Sequence, residues 1–315
     1  MPYISALLLV CAGASIFAAQ NVENSLFPNL FYNFFAKEIQ SQYAKVLINY
    51  GVLAICLIIL NFITLRQEIV EKQNFFPLFL FAVLNVAAIQ PGQLNAQILT
   101  NFFILISLYK ILKSYREEFV LNEIFESSFY ISLSAFISFT AIINFPVYFI
   151  ALSILRPFNW KEWIVALIGF LAPVFIYESI AYLSNFNQWY FIKAAKMFFN
   201  DFKFPTFSEY YLPLVAIIVL LFIAALFKMF SFGLGNTVKK QKAKTIFLWF
   251  TLFNIFGILS GGMNSSELIL IFSIPFAFIL GDFFYSIKQT KISNTLLTLL
   301  FICILIVYLA SYNLI

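Results

Sequence analysis

No histidine occurs among the 315 residues. Its absence removes histidine-based triads, histidine-ligated zinc and imidazole proton relays. Charge is also scarce, with Asp, Glu, Lys and Arg making up 10% of the chain, where a soluble domain carries about 25%. So few charges cannot clothe a water-facing surface. The three cysteines, Cys11, Cys56 and Cys303, are scattered through separate apolar runs. That spacing excludes both a disulfide framework and a C-x-x-C metal or redox pair, and it reads as inert buried thiols. No metal site is expected.

What the chain has is apolar bulk: 63% hydrophobic residues and a mean hydropathy of +0.94. Its solvent is therefore lipid, where only helices and closed barrels satisfy every backbone donor and acceptor. Barrel strands alternate polar with apolar residues, whereas runs such as Val46 to Leu60 and Leu212 to Phe227 are apolar on every side. The expected fold is all-α, a polytopic transmembrane helix bundle. The 43 Phe and 16 Tyr read as lipid-facing bulk and interfacial anchors rather than as ligand platforms. The net charge of +5 reads as loop lysines obeying membrane topology, not as a nucleic-acid surface.

Along the chain, Tyr3 to Ala19 reads as an uncleaved first span, since only Met1 and Pro2 precede it where a signal peptide needs a basic region. Further spans read as Val46 to Leu65, Phe75 to Gln90, Leu94 to Leu112, Trp163 to Leu183, Tyr211 to Phe230, Ile246 to Ser260, Leu268 to Ile287 and Leu296 to Tyr312. Residues 20–45 and 184–210 read as amphipathic outer loops. A short surface helix is expected in the charged stretch between Lys113 and Glu126. The whole chain, 1–315, is taken as a single membrane domain.

The stretch Ser127 to Leu155 decides the topology. At about 1.5 Å per residue it exceeds a hydrocarbon core of about 30 Å, so it must either tilt steeply or fold as a helical hairpin broken at Asn144-Phe145-Pro146, with proline starting the second arm. Charge decides between them. With the hairpin there are about eleven spans, N-terminus inside and C-terminus outside. Of the nineteen Lys and Arg, only Lys37, Lys45, Lys193, Lys196 and Lys203 then lie outside, as the positive-inside rule prefers. The cluster Lys239, Lys240, Lys242 and Lys244 contributes most to that bias. It reads as a cytoplasmic topology marker, with an anionic-lipid or phosphate site as the alternative.

Three stretches also carry a resemblance: Arg156 to Phe175 (RPFNWKEWIVALIGFLAPVF), Asn95 to Leu99 with Tyr109 to Leu112, and Glu267 to Phe278 (ELILIFSIPFAF). In this order they resemble an uncharacterised family of polytopic bacterial inner-membrane proteins, over roughly Thr64 to Tyr308. The resemblance implies a multi-span fold in the bacterial inner membrane and no assigned activity. A second likeness is architectural. A first span, a long outer loop and a hairpin ending in Arg156-Pro157 look like the membrane glycosyltransferases that use polyprenyl-phosphate-linked sugars. That likeness implies acidic catalytic residues in the first outer loop, where only Glu23 and Glu38 are available and no paired acidic motif occurs.

A charge near the middle of a span costs about 2.5–3.5 kcal/mol on insertion scales, so each one is a candidate functional group. Glu178 lies in the outer half of its span, to bind a cation, relay a proton or act as a base, or simply to hydrogen-bond Tyr177 or Tyr182 or reach the outer interface. Glu267 starts a span, where it complements the helix dipole. Asp282 ends that span and is expected to pair with Lys288 or another basic loop residue. Asn95, Gln97 and Asn101 read either as a polar, substrate-binding cavity or as interhelical glue. Arg156, with Trp160 and Trp163, marks the inner interface, either gripping a lipid phosphate or anchoring the span.

Three functions follow. The first is a scaffold or envelope-biogenesis factor contacting membrane lipids and other envelope proteins. The second is a transferase acting on a lipid-linked substrate through Glu23 with Glu178 or Glu267. The third is a secondary transporter. No cofactor is identified by any motif.

Overall fold

A backbone that has no water to bond must pair its own N–H and C=O groups, and the apolar runs accordingly form α-helices. The computed structural model describes residues 39, 41–66, 74–89, 94–184, 189–200, 211–231, 237–259, 265–287 and 290–311. The expected first span Tyr3 to Ala19 lies outside them, as do residues 20–38 and 40 of the first outer loop and residues 185–188 and 201–210 of the second.

The described helices are α1 (Gln42–Arg66), α2 (Phe76–Ala88), α3 (Ala96–Lys113), α4 (Leu121–Ile137), α5 (Phe145–Leu155), α6 (Trp160–Ser184), α7 (Tyr190–Asn200), α8 (Leu212–Ser231), α9 (Val238–Leu259), α10 (Ser265–Ser286) and α11 (Thr290–Ser311). A 3-10 helix, Phe139–Asn144, joins α4 to α5. No strand occurs among the described residues, and the fold is an all-α bundle. Stretches of α1, α3, α6, α8 and α10 are long and apolar enough to cross a membrane.

Two sequence expectations need correction. The charged stretch after Lys113 does not form a separate surface helix. After a turn with Arg116 at φ 62°, the chain enters α4 at Leu121 and runs unbroken to Ile137, because Val120 and Ile124 are buried and seat its first turn in the core. The break in the 127–155 stretch falls at Ser138, in extended conformation (φ −133°, ψ 115°), not at Asn144. Pro146 does occupy the first turn of α5, where its missing N–H is harmless.

Small residues set the helix packing, as expected where lipid supplies little drive for helix association. At Gly169 in α6, a Cβ would press on the Ser128 hydroxyl and lie 2.6 Å from the Phe125 carbonyl oxygen of α4. At Gly281 in α10, a Cβ would lie 2.6 Å from the Pro77 ring of α2, and Asn74 Nδ2 donates to the Gly281 carbonyl at 3.0 Å. Aromatic faces fill the remaining space. Phe145 stacks on Phe170 at 3.9 Å between α5 and α6, and Phe247 stacks on Phe278 at 4.2 Å between α9 and α10.

Arg156, immediately after α5, donates from Nη1 to the carbonyls of Ser114 and Glu117, at 2.8 and 2.7 Å. Those carbonyls precede α4. The chain therefore leaves and regains one end of the bundle between Leu121 and Leu155. Lys242 Nζ, in the first turns of α9, reaches the Leu155 carbonyl at this same end.

Candidate functional site

The sequence confines charge to the helix ends, and the structure shows what those charges hold. At the end just described, Arg156 Nε contacts both carboxylate oxygens of Glu162, at 3.2 and 3.1 Å. Asn159 supports the pair from Nδ2, while its Oδ1 accepts from the Lys161 amide in the turn that opens α6. One guanidinium thus ties the α3–α4 turn, the end of α5 and the start of α6. Glu162 is buried, and sequence reading missed it, although its place six residues after Arg156 inside the quoted RPFNWKEW stretch was a usable signal.

Around this latch, Lys110 pairs with Glu126 and Lys113 with Glu123. The hydrogen bond from Lys113 holds the Glu123 carboxyl below its usual range. Asp282 at the end of α10 pairs with Lys240 at 2.9 Å and Lys244 at 2.5 Å. These two lysines, one helical turn apart, bridge to its two carboxylate oxygens, and Lys228 of α8 also feels its charge. Lys288 lies outside the described residues.

Midway along the bundle, Asn101 in α3 donates from Nδ2 to the Leu270 carbonyl at 2.8 Å and to Ser273 Oγ at 3.3 Å in α10. Pro275 one turn on has no N–H to offer the helix, so α10 here combines a proline with side-chain hydrogen bonding from a neighbour. Ser107 and Ser127 bond across α3 and α4, and Tyr148 of α5 donates to the Ser107 hydroxyl. Asn95 caps α3 by accepting from the Gln97 amide at 3.0 Å, and its own N–H goes to Asn49 of α1. Gln97 is buried in the first turn of α3.

Toward the other end, Glu178 lies eighteen residues into α6, about 27 Å along at 1.5 Å per residue. Its Oε2 accepts from the Trp189 amide at 2.8 Å, a residue held at φ 62° just before the amphipathic helix α7. That helix docks through Tyr190 and Phe191 on Phe136 of α4 and Tyr177 of α6. Glu178 lines an open cavity of about 450 Å³ with Phe175, Ser179, Tyr182, Leu183 and Trp189. Glu267 lies in the first turn of α10 and does not line that cavity among the described residues. Glu23 lies outside the described residues.

Charges gathered at helix ends, apolar helices between them and side-chain amides bonded from helix to helix define a multi-helix membrane protein. Within that class the chain belongs to the family of unknown function DUF6427, whose model matches residues 26–314. The expected membership of an uncharacterised family is borne out, over a longer span than Thr64 to Tyr308. No curated protein and no solved structure matches the chain.

Proposed function

We propose that the protein is a non-catalytic scaffold of the bacterial inner membrane, serving envelope biogenesis, with about eleven crossings, its N-terminus inside and its C-terminus outside. The observation that carries this reading is the use of Glu178. Its carboxylate holds the Trp189 amide and so fixes where α7 leaves α6, and no second acid lines its cavity among the described residues. The other candidate polar groups support the same view, because Asn95 caps a helix, Asn101 joins α3 to α10 and Arg156 latches three segments.

One observation favours the transferase as a second reading. The Glu178 cavity combines a carboxylate, a hydroxyl and the aromatic rings of Tyr182 and Trp189, a mixture suited to a sugar. Glu178→Gln separates the two readings, since glutamine keeps an acceptor for the Trp189 amide and removes only the charge. In a strain whose growth depends on the protein, the scaffold predicts full complementation by this variant. Loss of function with normal protein levels would move the assignment to the transferase.

The orientation has its own test. In a cysteine-free background, Gln241→Cys beside the basic cluster is expected to react with an impermeant maleimide only after the cells are opened. Labelling of intact cells would reverse the assignment of sides and would move Glu178 to the cytoplasmic half.

A further inference from the structure

At the end of the bundle that carries the Arg156 latch, four carboxylates are claimed by five cations: Glu126 by Lys110, Glu123 by Lys113, Glu162 by Arg156, and Asp282 by Lys240 and Lys244. A second set of cations gathers elsewhere on this end, around one aromatic ring. Arg116 Cζ lies 5.2 Å, Lys242 Nζ 5.0 Å and Lys239 Nζ 6.0 Å from the centre of the Tyr115 ring. A ring face attracts cations, and three gathered within about 6 Å of one ring centre concentrate positive charge there. Lys242 is further fixed by its bond to the Leu155 carbonyl at 3.3 Å. Arg116 is presented from a left-handed backbone position, φ 62°, that residues other than glycine adopt uncommonly.

These cations converge from two separate elements, the α3–α4 turn and the start of α9, at the boundary where the apolar helices end. Exposed Glu117 and Glu118 follow Arg116, and Glu117 turns its carbonyl to Arg156. A basic pocket between helices at the membrane surface suits an anionic headgroup, because a phosphodiester can accept from several cationic donors while its acyl chains lie along the apolar helices. Arg116 adjoins Tyr115 in the α3–α4 turn and Lys242 reaches the same ring from α9.

We propose that Arg116, Lys239 and Lys242, gathered on Tyr115, form a binding site for the phosphodiester of an anionic phospholipid in the leaflet at this end of the bundle. The site is independent of whether the protein is a scaffold or a transferase, since it uses none of the residues that distinguish the two.

The test uses the full-length protein in neutral detergent, with bound-lipid occupancy read by native mass spectrometry as phosphatidylglycerol or phosphatidylcholine is added. Phosphatidylglycerol is expected to bind with clear preference. Removing one basic residue is expected to weaken it by about fivefold, and the double variant Arg116→Gly, Lys242→Gln by about twenty-five-fold. Arg116→Gly guards against a folding artefact, because glycine suits φ 62° and its thermal midpoint should hold or rise while lipid is lost. Lys193→Gln, exposed on α7 at the other end, should bind phosphatidylglycerol like the parent. Equal binding of the two lipids, or unchanged phosphatidylglycerol binding by the double variant, would overturn the proposal. Displacement of the bound lipid by inorganic phosphate at millimolar concentration would also do so, by assigning the site to a soluble anion.

Discussion

Glu162→Ala is expected to lower the stability of the folded bundle by about 3–5 kcal/mol, the range for removing one partner from a buried ion pair. Loss of the carboxylate leaves the Arg156 guanidinium in a largely buried position with the Ser114 and Glu117 carbonyls as its remaining partners among the described residues. Arg156→Lys should fall close behind. A single ammonium cannot contact a carboxylate from one side and two carbonyls from another, which the extended guanidinium does. Titration of the purified protein from mild detergent into sodium dodecyl sulfate, followed by tryptophan fluorescence, measures both. The double variant Arg156→Met, Glu162→Met sharpens the argument. Buried pairs can often be replaced by hydrophobic residues without loss, yet here the guanidinium also serves the α3–α4 turn. Only partial recovery is expected, and full recovery would reduce the latch to a local pair.

That latch shows how far the sequence could be read. Hydropathy placed most of the described apolar helices within a few residues of their observed bounds, since the length and apolarity of a run are local properties. But α9 starts eight residues before the expected Ile246 and α11 six before Leu296, in polar and charged turns that hydropathy does not count. Within the stretch 184–210, the described residues include one helix, α7 (Tyr190–Asn200). Partner choice was not legible in the same way. A helix such as α6 is apolar on almost every face, so its periodicity does not say which side meets α4 and which meets lipid. The pairing of Asp282 with Lys240 and Lys244, and of Asn101 with Leu270 and Ser273, joins residues far apart in sequence. The Glu178 contact was missed for a different reason. Tyrosines beside it were natural partners to consider, but a main-chain amide eleven residues on, at Trp189, depends on a turn geometry that composition does not encode.

The hairpin lies between these cases. The excess length of Ser127 to Leu155 signalled a reversal, and proline signalled the start of the returning arm. The site of the break did not follow from either. A run of hydroxyls rather than the proline marks it, with the Ser138 and Thr140 side chains bonded to each other at 2.7 Å. Short polar side chains can offer the backbone alternatives to the helical ladder.

Gly169→Ala is expected to destabilise the bundle by about 1–3 kcal/mol, the range for inserting a methyl group into a packed core, and Gly169→Leu to prevent native packing of α6 on α4. The added Cβ meets both the Ser128 hydroxyl and the Phe125 carbonyl oxygen. Ser128→Gly in the Gly169→Ala background relieves only the first of these, because the backbone oxygen at 2.6 Å remains. Rescue should therefore be partial. Gly51 in α1 supplies the control, for it too is a helical glycine, but a Cβ there meets nothing within 4 Å. Gly51→Ala should be neutral or stabilise by up to about 1 kcal/mol through helix propensity alone. Opposite signs for the same substitution, read as midpoint shifts in the same denaturation assay, would tie the effect to helix contact. Equal losses at both positions would mean that the close approach of α6 to α4 does not limit stability.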